Sequence, residues 1–128
     1  MKGFEKYPSI ITDKDFCWYD LKYISDIHYH QDLNEYYEDI FVLDIEFIAI
    51  TNNQLQYKLN IRFSEVENAN FYISNSYVQL ISFQILDLKD DGWCSARYWI
   101  RDAESENIEF YCNKIEILSF AQNNNKIL

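Results

Sequence analysis

Glycine and proline are nearly missing from this sequence: two glycines, Gly3 and Gly92, and one proline, Pro8, in 128 residues. Phosphate-cradling loops cluster glycines so that backbone N–H groups can approach the ligand, and these two lie too far apart to build one. P-loop and dinucleotide-binding functions are thereby excluded, as is a serine nucleophile on an elbow, which needs flanking glycines. Cysteine and histidine are also scarce. The three cysteines, Cys17, Cys94 and Cys112, are an odd set with no short spacing. That fits neither a secreted disulfide framework nor a zinc ribbon, and it points to a reducing compartment. No apolar h-region follows Met1, and nowhere do about eighteen apolar residues run together, so neither a secretory signal nor a transmembrane helix is expected. The expected location is the cytoplasm. No composition shift marks a linker, which predicts one domain over residues 1–128 with a frayed tail from about 121 to 128.

Positive charge is the other deficit. Eleven Lys and Arg stand against twenty-one Asp and Glu, a net charge of -10. Such a field repels nucleic acid and anionic lipid and draws basic partners. Between Tyr23 and Tyr57 there is no Lys or Arg at all, while seven carboxylates fall there. Carboxylates on a rigid sheet steer a cationic protein, and tyrosines among them supply the aromatic anchors that dominate interface energetics. The candidate partner-binding residues are therefore Asp26, Tyr29, Asp32, Glu35, Tyr36, Tyr37, Glu38, Asp39, Asp44 and Glu46. The expected partner is a basic protein, not nucleic acid or membrane. No motif implies a catalytic residue or a cofactor, so a non-enzymatic role is expected.

Apolar and aromatic residues, by contrast, are plentiful, at 48% and 18% of the chain. They recur with the period of two that marks strands. LQYKLNIRF sets Leu55, Tyr57, Leu59, Ile61 and Phe63 against Gln56, Lys58, Asn60 and Arg62. FVLDIEFIA sets Phe41, Leu43, Ile45, Phe47 and Ala49 against Val42, Asp44, Glu46 and Ile48. Thr51-Asn52-Asn53-Gln54 joins the two runs, and paired Asn suits the positive φ of a tight hairpin. YVQLISFQILDL reads as one long buried strand. Asp90-Asp91-Gly92 then turns it into WCSARYWIR. In NIEFYCNKIEILSF the apolar parity changes from even (Ile108, Phe110, Cys112) to odd (Ile115, Ile117), which predicts a β-bulge near Asn113 and Lys114. KYISDIHYH and NFYIS are weaker strands; QDLNEYYED is a connector able to form a helical turn. The predicted fold is mainly β, an antiparallel sandwich or strongly curved sheet of seven to eight strands joined mostly by hairpins.

Both histidines fall in Asp26-Ile27-His28-Tyr29-His30-Gln31-Asp32. On a strand, Asp26, His28 and His30 share one side, a spacing at which two imidazoles and a carboxylate converge on a cation. The pattern His28-x-His30-x4-Glu35 resembles the first metal-binding motif of the cupins. Lys22 and Val42 stand where that motif has glycines, however, and no third histidine exists for its second half. An alternative to protein binding is thus a metal- or small-ligand site built from His28, His30, Asp26 and Glu35. Among the aromatics, Trp99 falls on the polar side of its strand with Arg97 and Arg101, whose expected partners are Glu109 or Glu116.

The order strand, Asn-Asn hairpin, strand ending in IRFSEVENANFYI, long strand, Asp-Gly-Trp hairpin and terminal strand is similar to small uncharacterised bacterial proteins encoded beside polymorphic toxins, in particular the immunity-protein families of Gram-positive bacteria. The likeness extends over roughly residues 24–118 and is carried by Phe63, Val66 and the hairpin at Trp93. It implies a cytoplasmic, non-enzymatic protein that binds a cognate toxin, and it transfers no functional residue.

Overall fold

The computed structural model describes residues 2–3, 16–72, 78–89 and 96–122. Strands dominate them: β1 (Lys2–Gly3), β2 (Leu21–Leu33), β3 (Asp39–Ile50), β4 (Gln56–Ser64), β5 (Glu67–Phe71), β6 (Val78–Gln79), β7 (Phe83–Asp87), β8 (Tyr98–Asp102), β9 (Ile108–Cys112) and β10 (Lys114–Gln122). Eight are five residues or longer, matching the expected seven to eight; β1 and β6 add two residues each. They form two antiparallel sheets, ordered β1-β7-β8-β9-β5 and β10-β4-β3-β2-β6. The result is an open antiparallel sandwich. A 3-10 turn at Trp18–Asp20 precedes β2, and among the described residues no helix is long and apolar enough to cross a membrane.

Alternation explains the core. Leu43, Ile45, Phe47 and Ala49 of β3 and Leu59, Ile61 and Phe63 of β4 are buried from one sheet. Phe83, Ile85, Ile100, Ile108, Phe110 and Cys112 meet them from the other. Ring contacts bridge the two layers, Phe47 to Phe83 at 5.1 Å and Phe63 to Phe110 at 5.0 Å.

The two hairpins of the second sheet close in the same way. Thr51 N–H donates to Leu55 O at 3.0 Å and Gln54 N–H to Thr51 O at 2.9 Å; Asn34 N–H donates to Glu38 O and Tyr37 N–H to Asn34 O, both at 3.0 Å. Each is a three-residue loop whose last residue is left-handed, Gln54 at φ 63° and Tyr37 at φ 62°. The positive φ therefore falls on Gln54 and not on Asn52 or Asn53. At the other loop Asn34 Oδ1 accepts the N–H groups of Tyr36 and Glu38 at 2.8 and 3.0 Å. This side-chain turn, and not a helical one, shapes the connector.

Two further expectations are corrected. The stretch 77–88 is not one strand: β6 pairs with β2, β7 pairs with β8, and the chain changes sheets between them. Val78 and Leu80 reach the core from even positions, Phe83 and Ile85 from odd ones, and Ile81 is left 51% exposed at the crossing. Likewise the parity change near Asn113 is not a bulge but a second crossing, from β9 to β10. Asn113 pins it, its N–H donating to Ser64 O at 3.1 Å and its Oδ1 accepting Arg97 N–H at 2.9 Å. β10 itself runs to Gln122. The Asp90-Asp91-Gly92 turn, Trp93, Cys94 and residues 123–128 lie outside the described residues, although β7 and β8 pair as that hairpin requires.

Candidate functional site

Strand length creates the most distinctive surface. β2 and β3 have 13 and 12 residues, whereas β7, β8, β9 and β5 of the facing sheet have five each. At about 3.3 Å per residue, a hairpin roughly 40 Å long faces strands of about 17 Å. Its far end therefore overhangs the sandwich. Burial records the overhang: on the face that continues the core, Leu43 is fully buried, yet Phe41, Tyr29 and Leu33 are 46%, 52% and 54% exposed. The Tyr29 and Phe41 rings lie 5.2 Å apart and partly cover one another. Tyr36 and Tyr37 stand exposed at the tip.

Seven of the ten predicted partner-binding residues belong to this arm: Tyr29, Asp32, Glu35, Tyr36, Tyr37, Glu38 and Asp39, all exposed; Asp26 is exposed as well but lies opposite Glu46, short of the overhang. None of the arm's four carboxylates joins an ion pair among the described residues. The other two predicted acids are engaged within the sheet. Asp44 receives Arg62 Nε at 2.7 Å and Nη2 at 3.0 Å. Glu46 accepts the Ser25 hydroxyl at 2.7 Å and lies 4.0 Å from Lys58. Sequence reasoning missed Leu33 and Phe41, because alternation assigns Phe41 to the core and only the short strands opposite leave it bare. Behind the tip a cleft of about 470 Å³ runs between Asp32, Glu35, Tyr36 and Glu38 on the arm and Arg62 and Lys114 on β4 and β10.

On the outer face of the second sheet, register aligns His28, Asp44, Arg62 and Glu116 across β2, β3, β4 and β10. His30 Nε2 lies 3.1 Å from Asp44 Oδ2, and the His28 and His30 rings are 4.7 Å apart. Ligand atoms of His28, His30 and Asp44 all fall within 4.8 Å of one another. Neither Asp26 nor Glu35 of the predicted ligand set belongs to this group. Neighbours two apart on a strand are about 6.6 Å distant, whereas directly opposed cross-strand residues have Cβ atoms about 5 Å apart. His28 faces Asp44, while Asp26 faces Glu46 and Glu35 sits in the tip loop. The Arg62 guanidinium, aided by His30 and opposed by burial, holds the Asp44 carboxyl below the usual range.

Elsewhere the described side chains read as structural. Burial pushes the Cys112 thiol up to about 12; burial and then the Asp20 charge raise Cys17. Activated cysteines shift the opposite way. Cys112 is accordingly expected to resist iodoacetamide in the native protein and to react on unfolding, a difference that mass spectrometry of native and urea-treated samples reads directly. Trp99 stacks on Tyr111, donates from Nε1 to Glu109 at 3.0 Å and lies under Arg101. Arg97 pairs with Asp87 at 3.4 Å, not with Glu109 or Glu116.

No family model, no curated protein and no solved structure significantly matches this chain.

Proposed function

We propose that this protein is a non-enzymatic binding module that captures a basic protein on the overhanging β2–β3 arm. The observation carrying the reading is the combination, on one arm, of bare apolar surface at Tyr29, Leu33 and Phe41 with four exposed carboxylates that join no ion pair among the described residues, in a stretch without Lys or Arg. Aromatic anchors desolvate on contact and supply affinity, while the surrounding acids accelerate the approach of a cation-rich surface. Resemblance to immunity proteins gives the reading its specific form: neutralisation, in the cytoplasm, of a toxin domain carrying excess Lys and Arg. The free thiols of Cys17 and Cys112 fit a reducing compartment.

Binding of the basic domain encoded by the adjacent gene, measured by calorimetry across a salt series, tests this. Affinity is expected to fall steeply with salt. Joint neutralisation of Asp32, Glu35, Glu38 and Asp39 to their amides should slow association more than it speeds dissociation. Phe41→Ala or Tyr36→Ala should cost about 2 kcal/mol of binding. A complex indifferent to salt and to all of these variants would place the interface elsewhere.

A further inference from the structure

The outer face of the second sheet carries a chemistry that docking on the arm does not use. We propose that His28, His30 and Asp44 form a site for a borderline divalent cation of the zinc class. Two imidazoles and a carboxylate suit zinc, whereas calcium and magnesium prefer all-oxygen shells.

Geometry supports the assignment. In a tetrahedral zinc site with bonds of about 2.0–2.1 Å, adjacent ligand atoms are separated by roughly 3.3 Å. His30 Nε2 and Asp44 Oδ2 are already 3.1 Å apart, so a cation can replace the proton that now joins them. The nearest donor nitrogen of His28 lies within 4.8 Å of both other ligand atoms. His28 is exposed, so its side chain is free of the packing that would hold it away from a cation. Three protein ligands leave the fourth position open toward solvent, the pattern of an exchangeable site.

Arg62 determines how the carboxylate is presented. Its Nε holds Asp44 Oδ1 at 2.7 Å while Nη2 takes one lone pair of Oδ2 at 3.0 Å. The other lone pair of Oδ2 faces His30. This is the outer-shell arrangement that fixes a ligating carboxylate. The guanidinium charge opposes a cation, but Glu116 and Asp32 act electrostatically on the same guanidinium. With no Lys or Arg between Tyr23 and Tyr57, the acids of that stretch offset the opposition.

Because His28 and His30 are the only histidines, selective 15N-histidine labelling of the full chain reports on this site alone. Titration with Zn2+ is expected to move both ring signals together and to saturate near one equivalent at micromolar metal. His28→Ala and His30→Ala should each weaken binding by about tenfold or more. Asp44→Asn tests the third ligand, with far-UV circular dichroism confirming its fold. Zinc retained while the histidine signals stay still would place the metal on thiols and overturn the proposal. Wild-type affinity in either histidine variant, or unmoved signals at micromolar zinc, would overturn it equally.

Discussion

Phe63→Ala is expected to remove about 3–5 kcal/mol of stability, the usual cost of truncating a fully buried phenylalanine. Phe63 has no exposed surface. Its ring meets Phe110 edge-on at 5.0 Å and Phe47 at 6.5 Å, and Phe47 in turn meets Phe83 at 5.1 Å. The chain of rings runs from β7 of one sheet through β3 and β4 of the other and back to β9. Truncation in its middle therefore opens a cavity lined from both layers, which neither sheet closes without bending. Domains of this size hold roughly 6–19 kcal/mol in total, so a large share goes. Urea unfolding should show a lower midpoint at unchanged slope. Phe41→Ala is the internal control: at 46% exposure it should cost less than about 1 kcal/mol of stability while weakening partner binding. Similar stability losses for Phe63→Ala and Phe41→Ala would contradict the overhang, since they would mean that both rings sit in one core.

The contrast between those two phenylalanines also marks how far the sequence is legible. Period-two alternation reveals that Phe41 and Phe63 point the same way from their sheet, because side-chain direction is a local property of the extended backbone. Burial depends on what lies opposite, and the facing strands come from residues 67–112, which no local pattern connects to Phe41. The crossings at Ile81 and Asn113 show the same boundary. Around Ile81 apolar residues on both sides read as one buried strand, and at Asn113 a parity change reads as a bulge; a change of sheet leaves the same signatures in sequence, and only the partner strands distinguish them. Within the candidate sites, the acids and tyrosines of the arm are legible as a stretch free of Lys and Arg. Asp44 as neighbour of the histidines is not: it becomes visible only through the register that sets it opposite His28.

Asp102→Ala should destabilise the fold by about 3–4 kcal/mol, because the carboxylate holds four backbone donors that methyl cannot replace. Asp102 ends β8 and is 2% exposed. Its Oδ2 accepts Ile81 N–H at 2.6 Å; its Oδ1 accepts Ser82, Glu104 and Ser105 N–H at 3.0, 3.1 and 3.0 Å. One side chain thus ties the crossing between β6 and β7 to the turn after β8. Those N–H groups have left the sheet ladder, so they depend on it. Asp102→Asn keeps one acceptor oxygen but turns a donor toward the others, and about 2 kcal/mol is expected. The pH dependence separates charge from shape. Burial raises the Asp102 carboxyl, the four N–H donors outweigh it, and the net position is below the ordinary value. A carboxyl lowered on folding contributes stability that is complete above the unfolded value and is lost as pH falls through the folded one. Stability of the wild type should therefore drop between about pH 5 and pH 2 more steeply than that of Asp102→Asn, whose side chain does not titrate. Urea midpoints for both proteins across that range would show the gap narrowing toward acid; a constant gap would assign the role of Asp102 to shape and not to charge.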